Sequence, residues 1–368
     1  MELLKELYLS KSCFIMGTEQ KKCYNCSYCR ALNGYGKELG NYIIPPSEIN
    51  DLFIDLPICV NLFYGDPMLQ IENTKNILEN LENIGHRGTV IIITKGDIDN
   101  LLKLRTFNLD LHIGLSTFGM NSKYDGGSFD RFKSNCEKLH KDGRYKFSIE
   151  FRPIIKNIND SDEVFENVCS VAENYNLPIG YCGLQVNDEL RKHIEKENLP
   201  FEPYDGYEFG LRKYVSKDVV DRLQKIADEH GVYIFKKTSC LISYMNNKDR
   251  DYNAHFYRPN EVGCYKCPMK EKCFKFKEEN SKKTTLDIQI PFDYKLIHKE
   301  NHVCPLYSNG LCKFPSDDCK NISGKIIKID EPITTTDVRV IKWLTGFTVD
   351  APFTELPYIS KKWKQNEV

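Results

Sequence analysis

Three cysteines crowd one short loop, Lys22-Cys23-Tyr24-Asn25-Cys26-Ser27-Tyr28-Cys29-Arg30. Thiolates spaced in this way can converge on one metal centre. Three of them can hold three irons of a [4Fe–4S] cluster and leave the fourth iron open to an outside ligand. A structural zinc site calls for four protein ligands, and no further cysteine or histidine lies immediately beside the loop. The polar, turn-rich setting argues against buried structural thiols.

Farther along, Cys264, Cys267 and Cys273 follow a Cys-x2-Cys-x5-Cys spacing, with Cys240 available as a fourth ligand. Four ligands close a site, which makes it an electron relay or a structural centre. Zinc competes for this set, because Cys-x2-Cys knuckles are common zinc ligands. A third group, Cys304, Cys312 and Cys319 with His302 close by, looks like a zinc finger of three cysteines and one histidine that lacks its trailing histidine. These residues either form their own site or complete the second one. Cys59, Cys136, Cys169 and Cys182 fall in helix or strand patterns and read as small core residues.

Such sites need a scaffold, and 368 residues suffice for two domains with a sizeable core. The formal charge of −1 implies no long-range attraction to a polyanion. The N-terminus lacks a basic stretch followed by an unbroken apolar run, and apolar runs such as 90–93 are far too short to cross a membrane. A soluble, cytoplasmic protein with no membrane partner is expected. In a reducing compartment, fifteen cysteines point to metal ligation rather than disulfides.

Short β-branched or aromatic runs at 7–10, 58–64, 89–94, 109–116, 145–155 and 179–186 alternate with helical spacing at 47–55, 71–84, 98–107, 129–142 and 161–175. After a less regular stretch, a helix at 217–230 and a strand at 232–238 follow. Alternation of this kind predicts βαβ units around a parallel sheet, as an open doubly wound sheet or an incomplete (βα) barrel. Either form binds ligands at the carboxyl ends of its strands. The expected organisation is 1–238 as the α/β domain, 239–324 as a cysteine-rich metal-binding region, and 325–368 as a tail with a helix near 338–344.

The cysteine loop resembles the signature of the radical S-adenosylmethionine (radical SAM) superfamily, Cys-x3-Cys-x2-Cys with an aromatic residue before the last cysteine. Cys26-Ser27-Tyr28-Cys29 matches the second half. The first half departs from it: Cys23 leaves a gap of two residues and Cys13 a gap of twelve, so the third ligand is either Cys23 or Cys13. The run Phe63-Tyr64-Gly65-Asp66-Pro67 is similar to the family's Gly-Gly-Glu-Pro segment, where backbone carbonyls and an acidic side chain receive the methionyl amine. Ile93-Thr94-Lys95-Gly96 and Gly114-Leu115-Ser116-Thr117 resemble strand ends of spore-photoproduct-lyase-like members, where a lysine and a serine help bind the methionyl carboxylate. Alternation puts Glu150 and Arg152 on one strand face, in reach of ribose or carboxylate or of each other. Tyr28 and the run 183–186 would lie near adenine. The likeness spans roughly residues 5–238, and only the cysteine loop is specific.

The resemblance implies a partial (βα)6 TIM barrel of radical SAM type, a [4Fe–4S] cluster and S-adenosylmethionine. It also implies an electron donor such as flavodoxin or ferredoxin, and an oxidoreductase, lyase or transferase reaction begun by a 5′-deoxyadenosyl radical. The Cys264 region resembles SPASM and Twitch auxiliary-cluster motifs, although the cysteine expected at Lys277 is absent. An auxiliary Fe–S cluster suggests a ribosomally made peptide as substrate. A nucleic acid is the alternative substrate, and a non-catalytic zinc-binding adaptor the alternative class.

Overall fold

The computed structural model describes residues 7–9, 14–16, 23–29, 57–60, 66–186, 188–202, 204, 215–248, 266–281, 296–299, 326–329 and 348–350. They divide into two compact units, one running through Leu241 and the other beginning at Ile242, with the short segment 9–12 assigned to the second. No helix among the described residues is long and apolar enough to cross a membrane.

The first unit is built on an eight-stranded sheet. Its strands are β1 (Leu7–Leu9), β2 (Phe14–Met16), β3 (Ile58–Val60), β4 (Val90–Thr94), β5 (Leu111–Thr117), β6 (Lys146–Ile154), β7 (Ile179–Gly183) and β8 (Ile234–Phe235), and they lie side by side in chain order. Every pair from β2 to β8 is parallel. A doubly wound sheet reverses its strand order at a switch point; this order never reverses. With right-handed crossovers, such winding carries the connecting helices to one face. The fold is therefore α/β, wound in one direction.

The helices of this unit are α1 (Ile71–Asn83), α2 (Asp99–Leu102), α3 (Phe129–Asp142), α4 (Asp162–Asn174), α5 (Asp188–Lys196), α6 (Lys217–Glu229) and the first half of α7 (Thr238–Met245), with a 3-10 turn at Pro67–Gln70 before α1. Local sequence sets several ends. The Ser128 hydroxyl accepts from the Arg131 amide at 3.0 Å to cap α3, and Gly143, at φ 69°, closes that helix in the left-handed conformation.

The two sheet faces differ in chemistry. On β6, Phe147, Ile149 and Phe151 are buried on the helix side, where the Phe151 ring meets Phe165 of α4 edge-on at 5.9 Å. The opposite face carries Ser148, Glu150 and Arg152. His112 of β5 shares that face and lies 2.8 Å from the Ser148 hydroxyl through Nε2. Buried polar groups thus line the side away from the helices.

Several expectations need correction. The helix expected over 98–107 stops after one turn, since the chain must leave it to reach β5, and Phe107 is buried beyond its end. The strand expected over 232–238 is two residues long, and Thr238 instead starts α7. The irregular stretch after 187 contains α5, and β2 was not foreseen. The expected helices at 47–55 and 338–344 lie outside the described residues.

In the second unit, α8 (Lys270–Ser281) accompanies a three-stranded sheet of β9 (Leu296–Lys299), β10 (Ile326–Ile329) and β11 (Thr348–Asp350). The central β10 pairs antiparallel with β9 and parallel with β11.

Candidate metal centre

The cysteine loop follows β2, Asp66 follows β3, Lys95 follows β4 and Ser116 lies near the end of β5, all on the carboxyl side of their strands, whereas Glu150 and Arg152 lie within β6. Asn25 holds a left-handed backbone at φ 52°, which asparagine tolerates better than most residues. The Cys29 amide donates to the Cys26 carbonyl at 3.0 Å and tightens the turn. Cys26 is buried, Cys23 and Cys29 are half-buried, and all three are uncrosslinked thiols. Their sulfurs are not gathered: Cys23 Sγ faces Asn25 Oδ1 at 3.4 Å, whereas Cys26 Sγ faces Asp125 Oδ1 at 3.2 Å. Among the described residues no three His, Cys, Asp or Glu side chains form a metal-binding group. What fits an iron–sulfur cluster is the donor chemistry, three cysteine thiols outside any disulfide within seven residues of one loop.

Asp125 organises this edge. Its carboxylate accepts from the Tyr28 hydroxyl at 2.5 Å and pairs with Lys95 Nζ at 3.1 Å, in a largely buried setting. The Tyr124 carbonyl accepts from the Ser27 amide at 2.9 Å, and the Gly126 amide donates to Cys26 Sγ at 3.3 Å. Burial, reinforced by the Asp125 carboxylate, pushes the Cys26 thiol up to about 12. Burial works to raise Asp125 too, but Lys95 and the hydrogen bonds from Tyr28, Lys95 and Cys26 hold it below the usual carboxylate range. A thiolate at Cys26 therefore needs added positive charge, which a bound metal would supply. The Tyr28 ring stacks on Phe118 at 5.4 Å, with planes 7° apart.

Asp66 is turned inward. It accepts from the Met68 amide at 2.9 Å, the Lys95 amide at 2.8 Å and the Thr94 hydroxyl, and it caps the turn at Pro67–Gln70. Both carboxylate oxygens are thus engaged, and burial raises its pKa despite these bonds. Gly65 lies outside the described residues. A side chain at Gly96 would meet Met68 Cβ at 2.6 Å, so glycine lets the chain after Lys95 pass close to the Asp66 turn.

Ser116 is half-buried and lies opposite Glu150 in the β5–β6 register. Glu150 is 1% exposed; its Oε2 accepts from the Thr238 hydroxyl at 2.8 Å and faces Arg152 at 3.4 Å. Its Oε1 has no hydrogen-bond partner among the described residues. His112, fully buried, is held neutral by burial, which lowers its pKa to about 3, and its Nδ1 also lacks a partner among the described residues.

Cys240 is half-buried in α7. In the second unit, Cys267 is half-buried and Cys273 lies buried in the first turn of α8. Cys13, Cys264, Cys304, Cys312, Cys319 and His302 lie outside the described residues. Cys59, Cys136 and Cys169 are buried and Cys182 half-buried. Sequence reasoning missed Asp125 and Thr238. Thr238 carried no signal, but Asp125-Gly126-Gly127 did: two glycines after a strand let backbone approach a neighbouring loop.

No protein-family model matches this sequence, and neither does any curated protein. Among solved structures, a radical SAM methyltransferase from Sphaerobacter thermophilus is similar, at 15% identity and a TM-score of 0.40, over 62% of this chain and 67% of that one. An overlap that loose has no bearing on what this chain does.

Proposed function

We propose that this chain is a radical SAM enzyme. The observation that supports the reading is a loop of three cysteines after β2 in a one-way-wound parallel sheet, with Lys95 reaching it through Asp125. On this reading the sheet is a partial (βα)6 barrel, with domains at 1–238, 239–324 and 325–368.

Cys26, Cys29 and Cys23 would hold the [4Fe–4S] cluster, with Cys13 the alternative to Cys23. When bound, a reduced cluster supplies the electron that breaks the sulfonium carbon–sulfur bond of S-adenosylmethionine, giving methionine and a 5′-deoxyadenosyl radical. The protein's part is to bind, orient and shield. Lys95 and Ser116 would offer a cation and a hydroxyl to the methionyl carboxylate, and Gly65 and Asp66 would receive the amine. Because its oxygens already take three hydrogen bonds, Asp66 would act on the amine mainly through its charge and through the turn it caps. Tyr28, stacked on Phe118, offers a rigid apolar wall near adenine. Glu150 and Arg152 share the polar face of β6, and the partly exposed Arg152, held by the buried Glu150, would be the one to meet ribose or carboxylate.

Cys240, Cys264, Cys267, Cys273, Cys304, Cys312 and Cys319 are proposed to hold one or more auxiliary centres, iron–sulfur or zinc. A flavodoxin or ferredoxin would deliver the electron, and a ribosomally made peptide is the proposed substrate. Anaerobically purified protein should be brown, and incubation with S-adenosylmethionine and dithionite should release 5′-deoxyadenosine. Cys26→Ala and Cys29→Ala should each abolish that release. A colourless protein that binds only zinc would overturn the enzyme reading and leave the adaptor.

A further inference from the structure

Residues 124–127 belong to no motif that pointed to the cysteine loop, yet they make four polar contacts at its core. The Tyr124 carbonyl takes the Ser27 amide, the Asp125 carboxylate takes both the Cys26 thiol and the Tyr28 hydroxyl, and the Gly126 amide points at Cys26 Sγ. The approach is too close for any side chain at 126: a Cβ there would lie 1.7 Å from the Tyr24 carbonyl oxygen. Arg131 ties the segment down, donating to the Gly126 carbonyl at 3.1 Å while its guanidinium lies 4.7 Å from the Tyr24 ring centroid. A segment built this tightly onto one sulfur governs that sulfur's surroundings.

We propose that residues 124–127 are a positioning clamp on the cysteine loop, and that Asp125 and Lys95 set the reduction potential of the cluster held by Cys26 in opposite directions. The inference rests on the cluster reading given above. One-electron reduction adds negative charge to the cluster and its thiolates. Asp125 accepts the Cys26 thiol at 3.2 Å in the metal-free protein; kept beside that sulfur once a cluster has displaced the thiol proton, its carboxylate would disfavour the electron, and the ammonium 3.1 Å from the carboxylate would restore part of it. In a largely buried setting neither charge is well screened by water. The Gly126 N–H acts on the side of Lys95, since hydrogen bonds to cluster sulfurs favour the reduced state. Asp125 is therefore the group that keeps the potential low, as a strongly reducing centre requires.

The test is a redox titration followed by electron paramagnetic resonance, on anaerobically reconstituted full-length protein without S-adenosylmethionine. Wild type, Asp125→Asn and Lys95→Met are compared, with iron and sulfide counted per chain. Asp125→Asn should shift the midpoint to more positive potential and Lys95→Met to more negative potential. Opposite shifts at unchanged iron content are not what a loss of packing would give. If Asp125→Asn fails to load, the Lys95→Met shift alone decides, because it needs Asp125 in place. Midpoints that stay put, or move in the same direction, overturn the inference and leave the cluster reading intact. A wild-type protein that takes up no [4Fe–4S] cluster overturns both.

Discussion

Glu150 lies directly opposite Gly180 across the β6–β7 register, and the Cβ that this glycine lacks would come within 3.1 Å of Glu150 Oε2. On the other side, a Cβ at Gly114 would sit 3.1 Å from Glu150 Cγ. A fully buried carboxylate thus stands between two glycines, one on each neighbouring strand. Strand interiors weaken with glycine, so its presence on both sides marks a place where something else needs the room. Here that is the acid itself and its link to Thr238 at the start of α7.

The first prediction follows from this confinement. In Gly180→Ala the new methyl would stand 3.1 Å from a carboxylate oxygen that Thr238 holds in place and that lies between two strands. Overpacking of this kind costs about 1–3 kcal/mol. A urea unfolding midpoint equal to that of wild type would show that Glu150 has space the distances do not give it.

Asn159 offers a second test. It is fully buried, and its side-chain amide donates at 2.9 Å to both the Phe118 and Pro153 carbonyls while its Oδ1 accepts from the Ile155 amide at 2.7 Å. One side chain thereby holds the ends of β5 and β6, and with them the Phe118 ring on which Tyr28 stacks. Asn159→Ala strands three backbone groups away from water, at a cost on the order of 3 kcal/mol. Denaturant unfolding measures the loss; a change under about 1 kcal/mol would mean that water takes over the partners.

The rhythm of strands and helices was legible because this sheet is buried on both sides. Val90 to Ile93 is apolar throughout, and α3 occupies 129–142, the span its periodicity predicts. What failed was short or dictated by tertiary context. α2 ends after one turn where the chain must return to the sheet, and β8 is two residues long, too short to carry a period. In the site, the cysteine loop was legible as donor chemistry, since spacing encodes it. The Asp125 network was not. Its partners Cys26, Tyr28 and Lys95 are distant in sequence, and no local pattern reports a carboxylate folded back onto a loop about a hundred residues earlier.

Thiol reactivity separates site cysteines from core cysteines without any metal present. Cys136 and Cys169 have no exposed surface, and burial pushes both thiols up to about 12. Thiolate is the reactive form, so neither should be alkylated in the native state. Cys26, likewise pushed up to about 12 by burial and Asp125, should react slowly, and half-buried Cys23 should react ahead of it. A short pulse of N-ethylmaleimide on metal-free protein, followed by peptide mapping, reads the order directly. Native labelling of Cys136 or Cys169 ahead of Cys23 would contradict the packing described.

The last prediction concerns pH and the contact between α4 and α6. His230 caps the C-terminal end of α6, and its ring reaches Glu173 Oε2 at 2.6 Å through Nδ1 and Glu166 Oε2 at 2.7 Å through Nε2. Hydrogen bonds to these two carboxylates of α4 raise its pKa above the ordinary 6.5. A positive charge at a helix C-terminus adds to the preference for the protonated ring. Because the folded value lies above the unfolded one, the stabilisation is complete below the unfolded pKa and is lost as pH rises through the folded value. His230→Gln can still hydrogen-bond but cannot charge, so the Tm advantage of wild type over this variant should be larger near pH ~6 than near pH ~9. The carboxylates are half exposed, so the difference should be small and should shrink in high salt. An advantage that grew with pH would mean that the ring is held neutral between α4 and α6, with one glutamate carrying the proton instead.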